Sequence, residues 1–254
     1  MDLLEWLRKV CRDYVFDVVA LYRRHGDHDW PLHAQDEGDL ERQLGEGGHF
    51  LPLPKEPAAL ANILEVSIVD YILERAEEVE GLVATRGAER GYPDIEFSGE
   101  ALNGDFHAVD VKVARRGPGR SRNTQSRITL YTGNTYFRYP TLHWPGTFRP
   151  FQDYASHLDV LCIYDLSPQA RSRVEDLELI VQEAWRIGSR RRSSTTREYL
   201  GAVNNIESLR NGEGEFETAE EFYRFWRRFP FRIGRAVQQQ LDRLLAEQAD
   251  SSSN

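Results

Sequence analysis

Residues 106–113 read Phe106-His107-Ala108-Val109-Asp110-Val111-Lys112-Val113, and their alternation decides the fold class. Valine recurs at every second position, and β-branched residues at a period of two belong to a strand whose successive side chains face opposite sides of a sheet. Val109, Val111 and Val113 therefore share the face that goes to a core, while Asp110 and Lys112 share the other. An acid and a base two apart on one strand face, backed by an apolar face, give charged chemistry a rigid support.

Immediately upstream, Tyr92-Pro93-Asp94 leads into a second short strand, Ile95-Glu96-Phe97. Ser98-Gly99-Glu100 and Asn103-Gly104 between them are turn residues, so the two strands read as an antiparallel hairpin. That hairpin brings Asp94 beside Asp110. Two carboxylates so close repel each other, which favours a divalent cation between them. All-oxygen ligands suit Mg2+, which takes one or two protein carboxylates and completes its shell with water and phosphate oxygens. Lys112 has a separate role: an ammonium beside such a pair can stabilise a phosphoryl transition state or lower the pKa of an attacking water. Of 32 basic residues only three are lysines, Lys9, Lys55 and Lys112. A chain that otherwise uses arginine for positive charge places here a compact charge with a tunable pKa. The plainer reading is an ion pair along the strand face with Asp94 capping a turn.

Further from the hairpin, the pattern predicts strands at Arg127–Tyr131, His157–Tyr164 and Leu177–Gln182. It predicts an amphipathic helix over Leu3–Tyr22, then an exposed connection over Arg23–Gly48. A second helix runs from Pro57 to about Glu80 with Leu60, Ile63, Leu64, Ser67, Ile68, Tyr71 and Ile72 as its buried stripe. Thr218-Ala219-Glu220-Glu221 is a capping box opening a helix that carries Phe222, Phe225 and Trp226. The fold class is α/β: a mixed central sheet flanked by helices, with the charged site at one sheet edge. Residues 1–50 form an N-terminal helix and connection, 51–247 the main domain, and 248–254 (QADSSSN) a disordered tail.

At 254 residues with 40% hydrophobic content, the chain can bury a core of normal size. Cys11 and Cys162 stand far apart, which excludes a disulfide framework and a zinc cluster and fits a reducing, cytoplasmic setting. No secretory signal and no membrane span are expected, since neither a basic n-region nor an apolar run of about 18–20 residues occurs. The net charge of −9 argues against a polyanionic partner until its distribution is considered. Val111–Pro150 contains no acid and carries Lys112, Arg115, Arg116, Arg120, Arg122, Arg127, Arg138 and Arg149. Ala184–Arg197 is also acid-free and carries Arg186, Arg190, Arg191, Arg192 and Arg197. Two basic segments on an acidic body suit a polyanion such as DNA; the alternative is a pair of solvated basic loops.

Pro93-Asp94, fifteen further residues, then Asp110-x-Lys112 resembles the signature of the PD-(D/E)xK nuclease superfamily. The finer pattern is similar to the EcoRV family of restriction endonucleases. Ile63-Leu64-Glu65, Thr129-Leu130, the Pro150-Phe151 to Tyr154 segment and the aromatic run Glu221–Trp226 follow in order, so the resemblance spans Leu51–Phe229. It implies a restriction-endonuclease-like core and a type II enzyme that hydrolyses phosphodiesters in duplex DNA with Mg2+, as a homodimer making one cut per subunit. It further implies 5′-phosphate and blunt ends within a short palindrome. Glu65, Asp94 and Asp110 would be metal ligands, Glu65 as an auxiliary acid, and Lys112 the catalytic lysine. No organic cofactor is implied.

By the same resemblance, a loop in the C-terminal half reads bases in the major groove. Gly188–Val203 lies at that place, with Arg190, Arg191, Arg192, Ser193, Ser194, Thr195, Thr196 and Arg197 as DNA contacts. Ser193-Ser194 replaces the family's glycine and asparagine, so the recognised sequence can differ. Arg115 and Arg116, next to the site, would meet phosphates. Ala88-Glu89-Arg90-Gly91 would follow the minor groove through Arg90. Residues 1–50 would help form the dimer interface or, on physical grounds alone, use Leu3, Trp6 and Val10 to cover the protein's own core. A structure-selective or repair nuclease of the same superfamily, or a catalytically inactive DNA-binding module, would share much of this pattern. The complete acid–acid–lysine set argues against the inactive module.

Overall fold

The alternating stretch is a strand, and it lies in the middle of the molecule. The computed structural model describes residues 1–17, 35–46, 57–88, 91–119, 121–167, 169–170 and 172–251. Among these, the strands are β1 (Val83–Arg86), β2 (Ile95–Ser98), β3 (His107–Arg115), β4 (Thr129–Thr132), β5 (Ser156–Leu166), β6 (Val174–Glu183), β7 (Gly188–Arg192) and β8 (Tyr199–Ala202). The helices are α1 (Leu3–Arg12), α2 (Glu37–Glu46), α3 (Pro57–Glu77), α4 (Ile206–Asn211), α5 (Ala219–Arg228) and α6 (Arg235–Ser251). Five strands pair in the order β1-β2-β3-β5-β6 and three in the order β4-β8-β7.

The expected hairpin is present: β2 and β3 are antiparallel, with Ile95 opposite Val109. β3 and β5 are parallel and in register, Asp110 beside Asp159 and Lys112 beside Leu161, whereas β5 and β6 are antiparallel. The sheet is therefore mixed, as expected. A parallel pair cannot be closed by a tight turn. The acid-free basic stretch after β3 is that long crossover, and it carries β4 on its way to β5.

Each face of the sheet buries its own core. Val109, Val111, Leu158, Val160 and Cys162 pack against Leu3 and Leu7 of α1 and Leu60, Leu64, Ile68 and Ile72 of α3. These α3 residues are four apart, which keeps them on one helix face, and all are fully buried. On the opposite face, Ala108, Leu161, Ile163 and Ile180 meet the aromatic layer of Tyr131, Phe137, Phe151, Phe222 and Trp226. Fully burying a side chain of that size contributes roughly 1.5–3 kcal/mol, so this aromatic layer anchors the small second sheet to the large one.

Several elements differ from the expectation. α1 stops at Arg12, because Tyr14 turns back to donate its hydroxyl to Ser67 Oγ at 2.9 Å; residues 18–22 of the expected helix lie outside the described residues. Inside the expected connection, α2 forms with Asp36 accepting from the Asp39 N–H at 2.9 Å. Its polar composition gives no apolar period to read. α6 runs through Ser251, so the expected tail is helical over residues 248–251, and residues 252–254 lie outside the described ones. The basic segment after Gly188 is a β-hairpin, β7 with β8, and not an open loop. The charged site is also not at a lateral edge, since β2 and β3 are second and third in the strand order.

Candidate active site

Asp94 is held by two backbone N–H groups and by the Asp110 carboxylate. Its carbonyl accepts the Gly87 N–H at 2.7 Å. Its Oδ2 accepts the Val111 N–H at 2.7 Å, and its own N–H lies 3.3 Å from Asp110 Oδ1. Gly87 has to be glycine for this approach, because a Cβ there would collide with the Pro93 carbonyl. Preceding Asp94, Tyr92 is buried among Tyr136, Phe151 and His157, with its Oη 2.6 Å from His157 Nδ1. The Tyr92 N–H donates to the Gly146 carbonyl at 2.9 Å. The turn that presents Asp94 is thus fixed to the aromatic layer on one side and to β3 on the other.

Asp110 and Lys112 project from β3 on one face, as the alternation requires, and form an ion pair in which the Asp110 side chain is 8% exposed and that of Lys112 23%. Two full charges about 4 Å apart repel by ~4 kcal/mol at an effective dielectric near 20. The two acids therefore need the lysine, a proton or a cation between them. The electrostatics reflect that need. Burial, and then the Asp110 carboxylate, hold the Asp94 carboxyl well above the ordinary range, while Lys112 and the Val111 N–H oppose them. Burial works against the Lys112 ammonium, but Asp110, Asp94 and Asp159 outweigh it and keep the lysine charged. Glu65 is raised by burial, relieved by Lys112 and pushed further up by Asp110.

These groups line one cleft of about 1120 Å³, together with Arg115, Arg197, Thr129 and Tyr136. Glu65 reaches it from α3, next to the buried Leu64. Among the described residues, no group of three His, Cys, Asp or Glu side chains is close enough to hold a metal ion. The donor set is therefore two adjacent carboxylates, one of which favours a proton at neutral pH, open to a roomy polar cleft. That fits a hard cation that keeps most of its shell as water or phosphate oxygen.

The other predicted residues separate into two groups. Arg115 and Arg197 are in the cleft, Arg197 extending to Tyr199 Oη at 3.2 Å. Arg116 is not free to meet phosphate: its guanidinium bridges Asp165 and Glu178, each at 3.1 Å, with 15% of the side chain exposed. Arg149, from the same basic stretch, is bound to Glu96 at 2.7 and 2.8 Å. Arg190 is exposed but paired with Glu221 and laid over Phe216, whereas Arg191 is exposed on β7. Arg192 closes the hairpin through Glu198 at 2.9 Å and the Thr195 carbonyl at 3.0 Å. Ser193 Oγ lies 2.7 Å from Thr129 Oγ1, and Ser194 Oγ accepts the N–H groups of Thr196 and Arg197. Thr195 and Thr196 are exposed at the tip. Arg90 lies outside the described residues.

Two features escaped the sequence reading. The Tyr92–His157 contact joins residues that no local period connects. Asp159, 1% exposed on β5 beside Asp110, has an Oδ2 without a hydrogen-bond partner. The signal for it was legible: one acid inside the apolar run Leu158–Tyr164.

No curated protein matches the chain. The family model described as restriction endonuclease EcoRV matches residues 26–246, a wider span than the motifs alone suggested and one that contains every element of the cleft. Such endonucleases cleave DNA and generally use divalent metals. With that match across most of its length, and with the acid–acid–lysine group assembled on β2 and β3, this chain belongs to the EcoRV restriction endonuclease family.

Proposed function

We propose that this protein is a type II restriction endonuclease that cuts duplex DNA within a short palindrome, with magnesium, as a homodimer. One observation carries the reading: the Val111 N–H and the Asp94 N–H lock Asp94 against Asp110, with Lys112 paired alongside, at the floor of a cleft that also holds Arg115 and Arg197. Asp94 and Asp110 would hold the cation, with Glu65 as the auxiliary acid at the cleft wall. A bound magnesium ion would supply Lewis-acid polarisation of the scissile phosphate and acidify a water. The chain's own residues do the rest. Lys112 places a fixed positive charge where negative charge grows on the phosphoryl oxygens as water attacks and O3′ departs, leaving a 5′-phosphate. Arg115 and Arg197 hold flanking phosphates and so fix the strand in line. Exposed Arg191, Thr195 and Thr196 on the β7–β8 hairpin face the bases, and Ser193, Ser194 and Arg192 keep that hairpin in shape.

Incubation of the protein with mixed-sequence plasmid and magnesium tests this, beside Asp110→Ala and Lys112→Ala. Discrete fragments are expected from the wild type, with a loss of about 10³-fold in either variant. A smear would favour a structure-selective or repair nuclease with the same chemistry. Intact DNA in every metal and salt tried would leave a DNA-binding protein and remove the enzyme.

A further inference from the structure

β5 carries a carboxylate that neither the fold nor the four proposed site residues account for. Asp159 stands in register with Asp110 on the neighbouring parallel strand. In-register residues of parallel strands share a face, so Asp159 lies on the Asp110–Lys112 side of the sheet. Along that face Leu161 follows beside Lys112 and Ile163 beside Ala114, both fully buried. The position is therefore one that an aliphatic side chain would fill. Instead it holds an acid that is 1% exposed, with Oδ2 lacking a hydrogen-bond partner among the described residues. A buried polar atom left unpaired destabilises the fold, and one kept in place calls for a reason.

The surroundings supply that reason. Tyr131 and Tyr223, in the aromatic layer on this side of the sheet, are near enough to feel the carboxylate but carry no charge to offset it. Lys112 is the cation acting on Asp159, and Asp159 in turn acts on Lys112 with Asp110 and Asp94. Among the described residues the Lys112 ammonium is held by Asp110, yet Asp110 is one of the two acids at which a cation would sit. When Asp110 turns to that cation, the ammonium loses its partner unless another carboxylate is behind it. We propose that Asp159 is a positioning residue: it takes over the Lys112 ammonium from within the sheet and keeps it aimed into the cleft. Asp159 is not proposed as a metal ligand, since it does not complete a group of three. The inference rests on the reading of Lys112 as the catalytic lysine.

The test uses full-length protein loaded with Mg2+, as wild type, Asp159→Asn and Asp159→Leu. Its first readout does not depend on cleavage. The chain has only three lysines, so brief acylation followed by mass spectrometry reports Lys112 against Lys9 and Lys55 as internal references. Lys112 should react faster in both variants than in the wild type, with the references unchanged. Single-turnover cleavage should slow by about 10- to 100-fold while DNA affinity stays the same. In EDTA, where Asp159 is not yet engaged with Lys112, Asp159→Leu should melt at or above the wild-type temperature, because it removes an unpaired buried acid. A residue kept for structure would behave in the opposite way and lose stability. Wild-type labelling of Lys112 and wild-type cleavage in both variants would overturn the proposal, as would a joint loss of stability and DNA binding. Should the wild type itself fail to cleave, the nuclease reading falls, while the labelling still decides whether Asp159 holds Lys112.

Discussion

At the residue scale, the acids of the candidate site make stability depend on pH and, in the proposed enzyme, on a cation. Asp94 has its carboxyl raised by burial and by Asp110, and Asp159 is raised in the same direction by burial. A carboxyl with a raised value in the folded state binds its proton more tightly there than in the unfolded chain. Its contribution is complete below about pH 4 and is lost as pH climbs through the raised value. His157 works on the acid side: burial lowers it to about 3, so stability is lost as pH falls below about 6.5. The carboxylate effect is therefore read above that pH. In EDTA the melting temperature should fall between about pH 6.5 and about pH 9, by roughly 2–4 °C for each kcal/mol of linkage at this chain length. Millimolar magnesium should flatten the curve, since a cation between Asp94 and Asp110 replaces the proton. An EDTA curve already flat across that range would show that the two acids are not in conflict.

At the element scale, the end of β3 makes adjacent arginines do different work. Arg115 lines the cleft, while Arg116 ties β3 to β5 and β6 through Asp165 and Glu178. Arg116→Ala should destabilise the protein by about 1–3 kcal/mol, since it strands the partly buried Asp165 carboxylate while Glu178 keeps Arg210, and should leave DNA affinity unchanged. Arg115→Ala should leave the melting temperature alone and lower the slope of log affinity against log salt by about 1. Fluorescence anisotropy across a salt series, beside thermal melts, separates the two. A change of salt slope in Arg116→Ala without a change of melting temperature would reverse these assignments. The β7–β8 hairpin divides its residues similarly. Its interior is held by Trp226 donating to the Ser189 carbonyl at 3.1 Å and by Arg127 at Ser189 Oγ and the Ala202 carbonyl, which leaves the tip to present Thr195, Thr196 and Arg197.

At the scale of the whole molecule, an acidic protein presents a basic cleft. The net charge is −9, yet Arg115, Arg197 and Lys112 converge on one side of the sheet while Arg116, Arg149 and Arg210 are spent on internal acids. The N-terminal helix is also spent internally, since Leu3, Leu7 and Cys11 share the core of α3 and β5. That apolar face is therefore not available to a partner copy. In the proposed homodimer, with one site per subunit, a mixed dimer of wild type and Lys112→Ala should nick its site and not sever both strands. Gel analysis of supercoiled plasmid distinguishes the nicked circle from the linear form; linear product from the mixed dimer in a single binding event would refute one cut per subunit.

Features that are periodic or local could be read from the chain alone. The valine alternation of β3, the turn residues between β2 and β3, the four-residue spacing on α3 and the Thr218 cap of α5 each follow from neighbours in the chain, and all are found. Asp94, Asp110 and Lys112 were legible for the same reason, since a two-residue step along a strand and one hairpin suffice to bring them together. β7 was not legible, because Gly188-Ser189-Arg190-Arg191-Arg192 has no apolar alternation and becomes a strand only when Ser189 is buried under Trp226 and Arg127. Nor could the sequence tell which arginines remain free, because charge pairing over long chain separations depends on the three-dimensional path. The parallel register of β3 with β5, set by a crossover and not by a turn, is what placed Asp159 beside Asp110. Only the tertiary structure could decide that, since nothing local in either strand specifies its neighbour.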